Sequence, residues 1–173
     1  RDDLRLDFLG ATFGMKLPTG AQDVRNGSGD LAERTLQPGS GTADLLAGGY
    51  FRRMLGSGSS WFADVLVQKP LDSHDNFRPG TRVSLDLGYR REITDRLGVM
   101  LQLNGLHKAR DSGSEAEPDN SGGKFIFLSP GASYVQTKSM QAYGFLQLPL
   151  YQYVNGVQLV AKRAFVLGLN TRF

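Results

Sequence analysis

The stretch 82–103, RVSLDLGYRREITDRLGVMLQL, decides the fold class. Val83, Leu85, Leu87 and Tyr89 alternate with Ser84, Asp86, Gly88 and Arg90. After a short interruption, Val99, Leu101 and Leu103 alternate with Met100, Gln102 and Asn104. Apolar residues at every second position share one face of an extended strand, whereas a helix repeats every 3.6 residues. The interruption itself, ITDR at 93–96, has the length of a tight antiparallel turn. The same period recurs where Ala63, Val65 and Val67 alternate with Phe62, Asp64, Leu66 and Gln68, and where Phe165, Leu167 and Leu169 alternate with Val166, Gly168 and Asn170. No amphipathic helical stripe of comparable strength occurs, so the chain reads as all-β.

Working outward, turn-forming residues divide the chain into about eight strands near 4–17, 42–54, 61–71, 81–92, 97–109, 124–136, 141–154 and 157–173. These exceed the five or six residues usual in water-soluble sheets and match the ~9–11 tilted residues of a membrane-crossing strand. The connections alternate in length. Those at 21–41, 72–80 and 110–123 are long or medium, while those at 55–60, 93–96 and 137–140 are tight. Asn155-Gly156 breaks the alternation and predicts a two-residue type I′ hairpin on the long-loop side. One-sided long loops predict an antiparallel up-and-down transmembrane β-barrel of the outer-membrane kind. A soluble lipocalin-like barrel or sandwich alternates too, with the faces exchanged, and periodicity alone does not say which face is inside.

Composition limits the alternatives. With 173 residues the chain forms one domain, 1–173, and zero Cys excludes a disulfide scaffold, thiolate zinc sites and Cys nucleophiles. Twenty Lys+Arg against 17 Asp+Glu leaves +3, with the basic residues scattered singly or in pairs, which argues against nucleic acid as a partner. No run approaches the ~18–20 apolar residues of a spanning helix. The chain opens Arg1-Asp2-Asp3 without Met or a signal peptide, predicting a processed or truncated product.

Two resemblances follow from particular residues. Phe165, Leu167, Leu169, Thr171 and Phe173 resemble the C-terminal signature of bacterial outer-membrane proteins, which implies recognition by the barrel assembly machinery and residence in the outer membrane. Thr171 departs mildly from it. KLPTG at 16–20 and LQPGSGTADLLAGGYF at 36–51 resemble the strand end and strand entry of the outer-membrane family named for the meta pathway of phenol degradation. That resemblance implies a channel or transporter-like barrel associated with uptake of hydrophobic or aromatic compounds. Members of that family are usually longer, so this chain is expected to be either an eight-stranded barrel or the C-terminal part of one with about twelve strands. As turn-formers, Pro18-Thr19-Gly20 and Pro38-Gly39-Ser40-Gly41 also have a purely structural reading.

If the apolar face meets lipid, Lys16, Asp64, Gln68, Asp86, Arg90, Gln102, Asn104, Lys108, Lys162 and Arg172 line the interior. They offer either a polar path with a transverse field or a filled plug, since eight strands leave just enough room for side chains. Arg90, Lys108 or Lys162 would then partner Asp64 and Asp86. Trp61, Phe62, Tyr89, Tyr134, Tyr143, Tyr151, Tyr153 and Phe173 suggest interfacial girdles. Pro130 and Pro149 mark bulges, an edge or an irregular wall. The acidic loop with Asp111, Glu115, Glu117 and Asp119 fails the calcium-hand template and reads as a solvated face. His74 and His107, the two histidines, give catalysis little support, and no metal or cofactor is implied. Expected partners are outer-membrane lipid, lipopolysaccharide and the assembly machinery, with a protein partner for the long loops as an alternative function.

Overall fold

The computed structural model describes residues 7–56 and 58–171. Eight strands follow one another in a single antiparallel meander: β1 (Asp7–Lys16), β2 (Asp44–Met54), β3 (Ser59–Pro70), β4 (Arg82–Glu92), β5 (Leu97–Lys108), β6 (Gly123–Thr137), β7 (Met140–Val154) and β8 (Ala164–Thr171). Apart from two single-turn 3-10 segments in the long loops, nothing helical occurs among the described residues. The architecture is therefore the expected all-β, up-and-down one. It is barrel-like but open, because among the described residues no pairing joins β1 to β8.

The register follows from the tight turns. Counting outward from 93–96 places Glu92 against Gly98, and hence Asp86 against Asn104 and Leu87 against Leu103. Continuing across the sheet, Tyr50, Asp64, Asp86, Asn104 and Phe127 form one row on one face. The neighbouring row, Val65, Leu85 and Gly105, belongs to the other face. Eleven residues of β4 at ~3.3 Å each, tilted by ~40°, rise about 28 Å, close to the hydrocarbon thickness of a bilayer.

Burial separates the two faces in an unusual sense. Leu85 and Leu87 are 48% and 41% exposed, while Ser84, Asp86 and Arg90 between and beside them are half-buried. Val99, Leu101 and Leu103 are likewise more exposed than Met100, Gln102 and Asn104. Phe77, in a loop, is the one large hydrophobic residue buried among the described residues; Thr42, Asp44, Asp111 and Ser129 are buried instead. The greasy rows face outward and the polar rows line a concave side. A protein folded by apolar collapse in water shows the reverse.

The last connection differs from its sequence reading. Asn155-Gly156 does not make a two-residue hairpin, because β8 begins only at Ala164. The loop 155–163 is held by longer-range bonds. Asn155 donates through its side chain to the Ser121 carbonyl at 2.8 Å, Gln158 donates to Gly122 at 2.9 Å, and the Val157 amide donates to Asn120 Oδ1 at 3.1 Å. Gly156 keeps the expected positive φ of 58°. Local turn chemistry is present, but docking on the 109–122 loop decides the path. The correction makes the alternation of long and short connections complete.

One of the two β6–β7 register shifts falls where a proline predicted irregularity; the other, at Val135/Thr137, adjoins the tight turn and involves no proline. The β6–β7 register shifts at Ile126/Phe127, opposite Pro149 to Tyr151, and no paired residues occur at Ser129 and Pro130 on that side. Pro149 and Pro130 cannot donate to the ladder.

Candidate functional site

The polar face carries a layered arrangement along the strands. At the long-loop end, Lys16 Nζ donates to Asp44 Oδ2 at 2.8 Å and to Ser40 Oγ at 2.6 Å. Thr42 Oγ1 donates to Asp44 Oδ1 at 2.8 Å, and Gln68 Nε2 also donates to Asp44. Asp44 is 1% exposed and thus fully saturated by donors from three segments. The same corner brings the chain's backbones together. The Gly39 amide donates to the Ala21 carbonyl at 2.8 Å, and a Cβ on Gly39 would lie 2.4 Å from the Gly20 carbonyl oxygen. The two motifs 16–20 and 36–51 are therefore one clasp, with an ion pair on one side and facing glycines on the other.

A second saturated acid sits beside it. Asp111, 2% exposed, accepts from Lys108 Nζ at 2.8–2.9 Å and from the Gly80 amide at 2.7 Å, while its own amide donates to Ser121 Oγ. Lys16, Asp44, Gln68, Arg82, Lys108 and Asp111 together border a cavity of about 460 Å³ at this mouth.

Towards the middle of the polar face the pattern changes. Asp64 and Asp86 stand directly opposite each other on β3 and β4. Asn104 Nδ2 donates to Asp86 Oδ1 at 2.7 Å, and Ser129 Oγ donates to Asn104 Oδ1. Among the described residues no basic side chain lies within 4.0 Å of either carboxylate. Asp64, Asp86, Gln102 and Asn104 line a second cavity of about 820 Å³, walled by Phe8, Tyr50 and Phe62.

Of the residues expected to line an interior, Lys16, Asp64, Gln68, Asp86, Arg90, Gln102, Asn104 and Lys108 share the polar face of the sheet. Lys162 does not. It lies exposed in the 155–163 loop, because β8 starts later than its apolar pattern suggested. Arg172 and Phe173 lie outside the described residues. Phe165, Leu167 and Leu169 occupy the outward row of β8. The expected partners of Asp64 and Asp86 are also corrected. Arg90 and Lys108 sit four residues from the Asp86–Asn104 row in opposite directions, about 13 Å along the strands. Lys108 is committed to Asp111, and Arg90 approaches Glu92 at 3.7 Å.

Sequence reasoning missed Asp44, Arg82, Arg52 and Ser129 as inward groups. The signal existed: reflecting each strand about its tight turn assigns them to the polar face. Of the aromatics, Trp61, Tyr89 and Tyr134 face outward near the short-turn end, and Tyr151 and Tyr153 do so near the long-loop end. Phe62 and Tyr143 point inward instead. In the acidic loop, Asp119 pairs with Arg110 and Glu117 accepts from Asn120; no group of three metal-holding side chains occurs among the described residues. Ser84 is inward while His107 pairs with Val83 on the outward face, so these two do not meet.

No protein-family model matches the chain, nor does any curated protein or solved structure.

Proposed function

We propose that this chain is an outer-membrane β-barrel, alone or as part of a larger one, that passes small hydrophobic or aromatic solutes through its polar-lined bore. One observation carries the reading: the rows rich in Leu and Val are the exposed ones, and the rows bearing Asp, Asn, Gln and Arg are the sheltered ones. In water such a surface is an aggregation hazard; in hydrocarbon it is the required solvent-facing surface. Aromatic residues at both ends of the outward face, with aliphatic residues between them, fit the two interfaces of a bilayer. The free edges of β1 and β8 must find partners in lipid, either each other or further strands, because unpaired backbone groups there cost several kcal/mol each. The likeness of 16–20 and 36–51 to the meta-pathway phenol family points to the same class of transporter, and lipopolysaccharide and the assembly machinery follow as partners.

The test is reconstitution of the full chain into lipid vesicles. Retention after alkaline carbonate washing, together with conductance or uptake of a small aromatic solute, is expected. Extraction by carbonate would overturn the membrane assignment, and retention with neither conductance nor uptake would overturn the channel. A second reading, a filled barrel that binds a partner through its loops, draws on the interlocked 109–122 and 155–163 loops and on inward Phe125, Phe127 and Phe145. It predicts no flux, and loss of partner capture when 21–41 or 110–123 is deleted.

A further inference from the structure

The middle of the bore is chemically unlike its mouth, and the difference specifies a ligand. Like charges directly opposite one another on neighbouring strands oppose pairing of those strands. Here the Asp64–Asp86 pair is kept on the inner face although each mouth acid has its own cation. Asn104 and Ser129 form a chain that binds one edge of Asp86, while no side chain among the described residues donates to Asp64; both carboxylates border the 820 Å³ cavity. Among the described residues Arg52 is the one basic side chain lining that cavity, against the two acids Asp64 and Asp86. On the β1–β3 side the wall is aromatic, with Phe8, Tyr50 and Phe62. Carboxylates bordering the same cavity as aromatic rings suit an ammonium group attached to an apolar body: the charge meets the acids and the rings, and the body meets the aromatic wall.

We propose that this zone is a binding site for organic monocations, aromatic or aliphatic amines, and that it makes the bore prefer them over anions and neutral analogues. The inference rests on the channel reading for its role in passage, but the site itself can be assayed separately. Two measurements keep the two claims apart. The first is equilibrium dialysis of the detergent-solubilised full chain against 2-phenylethylammonium, 3-phenylpropionate and 2-phenylethanol. The ammonium is expected to bind, and Asp64→Asn and Asp86→Asn to weaken it about fourfold each, the attraction between unit charges about 5 Å apart across water. Arg52→Gln is expected to tighten it, a gain that a misfolded variant does not produce. Equal binding of all three probes, or ammonium binding that ignores both Asp64→Asn and Arg52→Gln, overturns the proposal. The second measurement is conductance and reversal potential in planar bilayers. Selective ammonium binding without conductance upholds the site and rejects the channel. Conductance without cation preference, together with unselective binding, rejects the site and leaves the channel standing.

Discussion

The long-loop end and the middle of the polar face use the same residue type in opposite ways. Asp44 and Asp111 are almost fully buried, and each is surrounded by donors, a lysine among them. Asp64 and Asp86 are half-buried, face each other, and have no cation within ion-pair distance among the described residues. The first pair therefore holds loops to strands, while the second keeps its negative field available to whatever occupies the cavity. Removing charge should consequently destabilise at the mouth and relieve repulsion in the middle. The largest effect is expected for Asp44→Ala, which removes the acceptor shared by Lys16, Thr42 and Gln68. Lys16 stays partly exposed and keeps its bond to Ser40, so the loss is that of charge-assisted hydrogen bonds to a buried acid, about 2–3 kcal/mol. Urea unfolding of vesicle-inserted protein, followed by tryptophan fluorescence from Trp61, measures it; an unchanged midpoint would show that the clasp is ornamental.

Gly39→Ala attacks the other side of the same clasp without touching a charge. The new Cβ would meet backbone atoms of Gly20 rather than a movable side chain, so the two loop ends must separate. A cost of about 1–3 kcal/mol is expected, as for other overpacked sites. Gly27→Ala makes a control, since nothing lies within 4 Å of the position its Cβ would occupy. Asp64→Asn in the middle should have the opposite sign, a stabilisation of no more than about 1 kcal/mol from the relief of cross-strand repulsion. A loss of stability there would mean that Asp64 is structurally committed, as the mouth acids are.

Much of this contrast was legible in the sequence, and the illegible part has a physical origin. β4 and β5 were placed to within a residue because both carry unbroken period-two patterns around a tight turn, which fixes their register as well. That register sets Asp86 against Asn104, and it also keeps Arg90 and Lys108 too far along the strands to pair with it. The clasp was visible only as two turn-rich motifs. Its meaning depends on Gly20 and Gly39 touching across a long loop, which no local pattern encodes. The final loop was misread for the same reason. Asn155-Gly156 has the right chemistry for a hairpin, but Ser121 and Gly122, more than thirty residues away, take the hydrogen bonds. The sidedness of the sheet was undetermined by periodicity, because alternation is identical for a soluble and an inverted barrel; only the exposure of Leu85 and Leu87 against Asp86 distinguishes the faces.

The smallest expected effect lies outside the bore, where the 17–43 loop meets the 71–81 loop. Arg34 donates to Asp75 Oδ2 at 2.8 Å, and His74 Nε2 lies 3.2 Å from the same oxygen. The hydrogen bond from Arg34, aided by the charges of His74 and Arg34, holds the Asp75 carboxyl below its ordinary value of 3.8. A carboxyl depressed in the docked state contributes fully above 3.8 and loses that contribution as the pH falls through its lowered value. The Arg34–Asp75 link should therefore persist at neutral and mildly acid pH and be lost only below 3.8, while the bonds of Ala43 to Leu71 and Asp72 keep the loop ends joined and the unfolding midpoint of the sheet unchanged. Because the Asp75 carboxylate is exposed, salt should weaken the pair more than the Lys16–Asp44 contact, whose carboxylate is buried. Carbon-detected NMR titration of the Asp75 carboxyl reads this directly, and Arg34→Gln should return its titration towards the ordinary value. If Asp75 titrates alike with and without Arg34, the Arg34–Asp75 bond is not formed in solution, and the two loops are held by the bonds of Ala43 to Leu71 and Asp72 instead.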